Sequence, residues 1–181
     1  MGEPKGVTIW LTGLPCSGKS TIAERLRLLV ATRGRRVEVL DGDVIRAELS
    51  PELGFARADR DTNVHRIAFL AQLLTKNGVI TIVAAVSPHA RAREQARERI
   101  NDFIEVYVDC PLAECERRDV KGLYARARAG QLEAMTGVDD PYEVPEAPEL
   151  TLRTLELSAE ACARKVLELL KERGWLGGEA H

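Results

Sequence analysis

The chain has 181 residues, 45% hydrophobic and 30% charged, with a formal net charge of −2. That is material for one compact α/β domain over residues 1–181, with a sizeable core and too little chain left over for a second domain. Basic residues are spread along the sequence, which argues against a broad nucleic-acid or membrane-binding surface, and no basic leader or apolar run of about 18 residues marks export or a membrane span, so a cytoplasmic protein is expected.

Residues 7 to 12, VTIWLT, form a short β-branched apolar run that predicts a buried strand. A glycine-bearing loop follows. Ile22, Leu26, Leu29, Val30 and Arg33 then recur at helical spacing up to Gly34. RVEVL at 36 to 40 predicts a second strand, and Val64, Ile67, Ala68, Ala71 and Leu74 predict a helix that ends near Asn77 and Gly78. VITIVAAV at 79 to 86 is apolar almost throughout, as a central parallel strand covered on both faces would be. An Arg- and Ala-rich helix at about 89 to 100 leads to a fourth strand, FIEVYVD at 103 to 109, and Pro111 opens another helix. Leu150 to Leu155 is a candidate fifth strand, and Cys162, Val166, Leu169 and Leu170 stripe a terminal helix. Alternating strands and helices predict a mostly parallel sheet with helices on both faces. Cys16, Cys110, Cys115 and Cys162 lack metal-binding spacing and are expected as reduced thiols.

The loop GLPCSGKST, Gly13 to Thr21, satisfies the G-x-x-x-x-G-K-[ST] pattern between a strand and a helix. Glycines there let successive N–H groups wrap a phosphate at a helix N-terminus. Gly13, Leu14, Pro15, Cys16, Ser17, Gly18, Lys19, Ser20 and Thr21 are therefore expected to hold a nucleoside triphosphate. Lys19 would reach the β- and γ-phosphates from a solvated position, and the Ser20 hydroxyl would ligate Mg²⁺.

Two polar clusters describe the acceptor. DGDVIR, directly after the second strand, offers Asp43 to orient a hydroxyl, accept its proton or hold Mg²⁺, with Arg46 beside it; Asp41 reads equally well as a turn and helix cap. LGFARADRDTNVHR, residues 53 to 66, adds Phe55, Arg60, Asn63 and Arg66 ahead of the helical stripe. Arginine forks suit phosphate or sulfate, and an exposed phenylalanine suits a base.

These motifs, with VSPHARAR, VDCPLAECERRDVKGLYARARAG and TGVDDPYEVPEAPEL in the same order, make the chain resemble the adenylylsulfate kinases over nearly its whole length. The resemblance implies a P-loop NTPase fold, a three-layer αβα sandwich with a five-stranded sheet in the order 2-3-1-4-5. It implies transfer of the ATP γ-phosphate to the 3′-hydroxyl of adenosine 5′-phosphosulfate (APS), with ATP and Mg²⁺ as cofactors. It places Asp43 beside that hydroxyl, Arg46, Arg60 and Asn63 on the phosphosulfate and ribose, and Phe55 on the adenine. Val86 and Ser87 would line the same pocket. Ser87 matches a serine described in some members as a phosphoserine intermediate, a step that direct in-line transfer does not need. A mobile lid at about 117–143 would bring Lys121 to the acceptor, Arg118 to the ATP adenine, and Met135 to the APS adenine where relatives carry phenylalanine. A homodimer and a functional link to ATP sulfurylase are further implications. The competing readings are another P-loop kinase acting on gluconate, shikimate or a nucleoside, and a catalytically silent nucleotide-binding module.

Overall fold

The computed structural model describes residues 5–176, so the two ends of the expected 1–181 unit lie outside the described residues. Its centre is β1 (Val7–Thr12), every residue of which is buried. It pairs in parallel on one side with β3 (Ile80–Ala84) and on the other with β4 (Phe103–Asp109). β2 (Val37–Asp41) extends the sheet beyond β3 and β5 (Leu150–Arg153) beyond β4. The order is β2-β3-β1-β4-β5, all parallel, as the resemblance implied.

Strand alternation divides the core in two. Val7, Ile9 and Leu11 of β1 face the cluster built with α1 (Lys19–Ala31) and α7 (Ala159–Glu172), where Ile22, Leu26, Val30, Val166 and Leu170 are buried. Trp10 points the other way, towards α3 (Arg57–Lys76) and α4 (Ala90–Ile100), and stacks on Phe103 at 5.6 Å between ring centroids. A third, smaller cluster of Cys110, Cys115, Tyr124 and Met135 forms where α5 (Leu112–Arg118) and α6 (Leu123–Arg128) meet the loop after β1. Cys110, Cys115 and Cys162 are buried free thiols and Cys16 is a half-buried one.

Three expectations change. The second strand runs one residue later than the RVEVL run suggested. A helix, α2 (Gly42–Leu49), follows it directly; none of its residues is buried, so no apolar stripe announces it. And α3 starts at Arg57, so Arg60, Asn63 and Arg66 sit on its first turns and not in a preceding loop. Among the described residues no helix is long and apolar enough to cross a membrane.

Candidate active site

The carboxyl ends of β1, β2 and β3 open onto one side of the sheet, where ligands of open α/β folds bind. Between β1 and α1 the chain closes a tight loop in which Cys16 and Gly18 have φ of 62° and 106°. A Cβ at Gly13 would fall 2.5 Å from the Val108 carbonyl oxygen, so only glycine fits there. Lys19 is the first residue of α1 and is buried at 8% exposure, contrary to the solvated lysine expected. Its ammonium donates to the carbonyls of Gly13 (2.9 Å) and Leu14 (2.7 Å) and to Ser17 Oγ (3.3 Å). Loss of water pushes its pKa down to about 8. The loop is tied from behind by Thr154, just past β5, whose hydroxyl donates to Ser17 O at 3.0 Å. Arg118 reaches the same place and donates to Thr154 O at 3.0 Å.

The next residue, Ser20, donates to Asp41 Oδ2 at 2.6 Å. Asp41 also caps α2, its Oδ1 accepting from the backbone N–H of Asp43 at 2.9 Å. Asp41 is thus the helix cap that the sequence allowed, and it, not Asp43, is the carboxylate on Ser20. The Asp43 side chain is exposed and its carboxylate meets the Lys121 ammonium.

Beyond Asp43, the Arg46 guanidinium lies 4.9 Å from the Phe55 ring centroid and donates to Gly54 O at 2.7 Å. The Arg60 guanidinium lies 5.6 Å from the same ring centroid. It also donates to Phe55 O (2.8 Å), Thr136 Oγ1 (2.8 Å) and the Ala134 carbonyl, and stands 3.6 Å from Asp140, fastening α3 to the segment after α6. Asn63 is 8% exposed, and its Oδ1 finds no hydrogen-bond partner among the described residues.

All of this encloses one cavity of about 1,100 Å³. Pro15, Cys16, Gly18, Lys19, Ser20, Thr21 and Arg118 line one end of it; Asp43, Arg46, Phe55, Arg60, Asn63, Val86 and Ser87 line the other, and Lys121 and Met135 join the lining from the stretch after α5. Gly13, Leu14 and Ser17 do not reach its surface: Ser17 is fully buried, and Leu14 packs into the third cluster. Met135, 6% exposed, belongs to that cluster as well as to the wall. The Ser87 hydroxyl is engaged, accepting from Trp10 Nε1 at 3.0 Å and donating to Thr12 Oγ1 at 3.0 Å.

The sequence profile of the adenylylsulphate kinases matches residues 5–153. The chain belongs to that family. An adenylyl-sulfate kinase of Picosynechococcus sp. is 50% identical over 174 residues, spanning 96% of this chain and 98% of the relative. One from Halothermothrix orenii is 49% identical, spanning 97% and 95%. The structure of the Mycobacterium tuberculosis APS kinase CysC in complex with AMPPNP and APS superposes with a TM-score of 0.90 at 44% identity, covering 93% of this chain and 99% of that one. A shikimate kinase from Acinetobacter baumannii shares the fold alone, with a TM-score of 0.60 at 17% identity. As a member of this family the chain is a kinase, a phosphotransferase that binds a nucleotide.

Proposed function

We propose that the chain transfers the γ-phosphoryl group of ATP to the 3′-hydroxyl of adenosine 5′-phosphosulfate, releasing 3′-phosphoadenosine 5′-phosphosulfate and ADP. The observation that carries the reading is the single cavity with a phosphate loop at one end and a Phe55, Arg60 and Asn63 wall at the other. In this reading the acceptor adenine lies on Phe55, Arg46 and Arg60 hold the phosphosulfate, and the unsatisfied Asn63 Oδ1 takes a donor from the acceptor. Arg118 lies by the ATP adenine. Asp43 orients the 3′-hydroxyl and accepts its proton as the oxygen attacks the γ-phosphorus and the bond to the β,γ-bridging oxygen breaks. Lys19 leaves the loop carbonyls for the phosphates and offsets their charge in the transition state.

Ser20 and Asp41 present hard oxygen donors beside the loop, which fits Mg²⁺ held by one or two protein groups, substrate phosphates and water. When bound, the ion neutralises charge on the β- and γ-oxygens. Asp41 therefore replaces Asp43 in the metal assignment. A phosphoserine at Ser87 is not part of the proposal, because its hydroxyl is committed to Trp10 and Thr12.

The segment at about 117–143 acts as the lid, with Lys121 facing the acceptor. A homodimer in the cytoplasm and a functional link to ATP sulfurylase complete the proposal and rest on the family resemblance. The deciding assay is acceptor-dependent ADP release with ATP and Mg²⁺. Release with adenosine 5′-phosphosulfate, and not with gluconate, shikimate or adenosine, is expected. Release with one of the others would reassign the acceptor, and none with any would leave a silent nucleotide-binding module.

A further inference from the structure

Arg93, on α4, touches no part of the cavity and is 3% exposed. Its Nε donates to Glu105 Oε1 at 2.9 Å, which satisfies its charge. The two remaining arms go to backbone carbonyls of segments far apart in sequence. Nη1 donates to Ser87 O at 2.7 Å and Nη2 to Glu143 O at 2.6 Å. The guanidinium also lies 5.6 Å from the Tyr142 ring centroid. A planar fork can make all three bonds at once; an ammonium, with one nitrogen, cannot span them.

The two segments it joins are locked together by further bonds. Thr12 donates to Val86 O at 2.7 Å, which uses its only hydroxyl proton, so the Tyr142 hydroxyl is the donor in their 2.9 Å contact. Glu143 N donates to Pro88 O at 2.9 Å, and the Glu143 carboxylate accepts from Ala90 N at 2.6 Å and from Arg57 at 3.1 Å. Between these ties Ser87 is held at a φ of 40°, in the left-handed region that a residue with a side chain enters only when its surroundings force it. Val86, Ser87 and Pro88 form the wall of the cavity on the acceptor side, and Tyr142 and Glu143 follow the segment that carries Met135.

We infer that Arg93 is a positioning residue for the acceptor: it fixes the strained Val86–Pro88 wall and the end of the lid segment in one geometry, through Ser87 O and Glu143 O, without touching either substrate. The inference rests on the acceptor assignment proposed above. A plain structural ion pair with Glu105 would also be buried, but it would not need two carbonyls from opposite sides of the acceptor wall. The two accounts differ in kinetics. A positioning role moves the acceptor's KM and leaves that of ATP, whose loop is tied instead by Thr154.

The test compares Arg93→Lys, which keeps a charge for Glu105, with Tyr142→Phe, which removes only the hydroxyl donated to Thr12. KM for adenosine 5′-phosphosulfate and for ATP are measured separately, with melting temperatures for each protein. Arg93→Lys is expected to raise the acceptor KM about tenfold with ATP KM within about twofold, the scale on which a displaced positioning group acts. Tyr142→Phe is expected to move the same ratio in the same direction by about threefold. A lowered melting temperature with both KM values unchanged, or raised in parallel, overturns the inference. If Arg93→Lys does not fold, Tyr142→Phe decides alone, and an unchanged ratio there also overturns it. Wild-type protein with no activity towards the acceptor would instead refute the proposed function, and the inference with it.

Discussion

Lys121, between α5 and α6, and Asp43, in the first turn of α2, meet ammonium against carboxylate in the wall of the cavity. The contact holds the Lys121 pKa above the usual lysine range, the hydrogen bond to Asp43 being the main cause. Both side chains are more than half exposed, at 59% and 74%, so the pair contributes at most about 1 kcal/mol to stability. Exchange of this contact for a substrate group is therefore inexpensive.

Asp43→Asn should lower kcat by at least about 100-fold while leaving the melting temperature nearly unchanged, since the carboxylate is lost from an exposed pair and not from the core. Steady-state kinetics with thermal denaturation checks this. A change confined to KM would make Asp43 a binding group.

Lys19 predicts a pH dependence of stability in the protein without nucleotide. Its pKa is lowered by burial from 10.5 to about 8, so between those values the unfolded chain holds a proton that the folded chain does not. Stability therefore rises with pH across this window, by up to about 3 kcal/mol from this group, and the gain is absent below about pH 8. Lys19→Met should remove that slope and abolish turnover. Denaturant melts of the two proteins at pH 8 and 10 give the difference directly, and equal slopes would show that the ammonium is solvated after all.

The proposed function gives Asp41 two separable duties, capping α2 and holding Mg²⁺. Asn caps a helix about as well as Asp, whereas Ala costs about 1 kcal/mol. Asp41→Asn should keep the fold's stability yet lose activity and require more Mg²⁺, and Asp41→Ala should lose both. Full activity in the Asn variant would reduce Asp41 to a cap.

Phe55 is half exposed, with Arg46 and Arg60 on its flanks. Phe55→Ala should weaken acceptor binding by about 1–3 kcal/mol with ATP affinity unchanged, measured by calorimetry in the presence of ADP. Met135→Phe, at a site expected to tolerate an aromatic, should instead destabilise by about 1–3 kcal/mol, because the methionine is already packed beside Cys115 and Tyr124. Unchanged melting would show room in the wall for a ring.

The centre of the sheet was legible because β1 and β3 carry little but aliphatic and β-branched residues, and only central strands are covered on both faces. α2 was not legible, since its residues are exposed or half-buried, and the first turns of α3 were hidden because they are mostly polar, with Arg60 and Asn63 lining the cavity instead of a core. The phosphate loop announces itself by local spacing. Asp41 on Ser20, Thr154 on Ser17 and Arg93 on Ser87 do not, because each is a contact made by the fold between residues that no periodic pattern links. Arg60 and Asn63 stand out by residue type and the resemblance gives them roles; their neighbours come from the structure.

The cavity is continuous from the phosphate loop to Phe55, with no partition between its two ends. In the proposed function, the two nucleotides that occupy it amount to one elongated ligand. A compound that joins two adenosines through a polyphosphate chain of suitable length would address both ends at once, and its second half would bind at the effective concentration set by the linker, which for a short flexible tether is in the millimolar range. Inhibitors built on that span would gain selectivity over kinases that share only the phosphate loop.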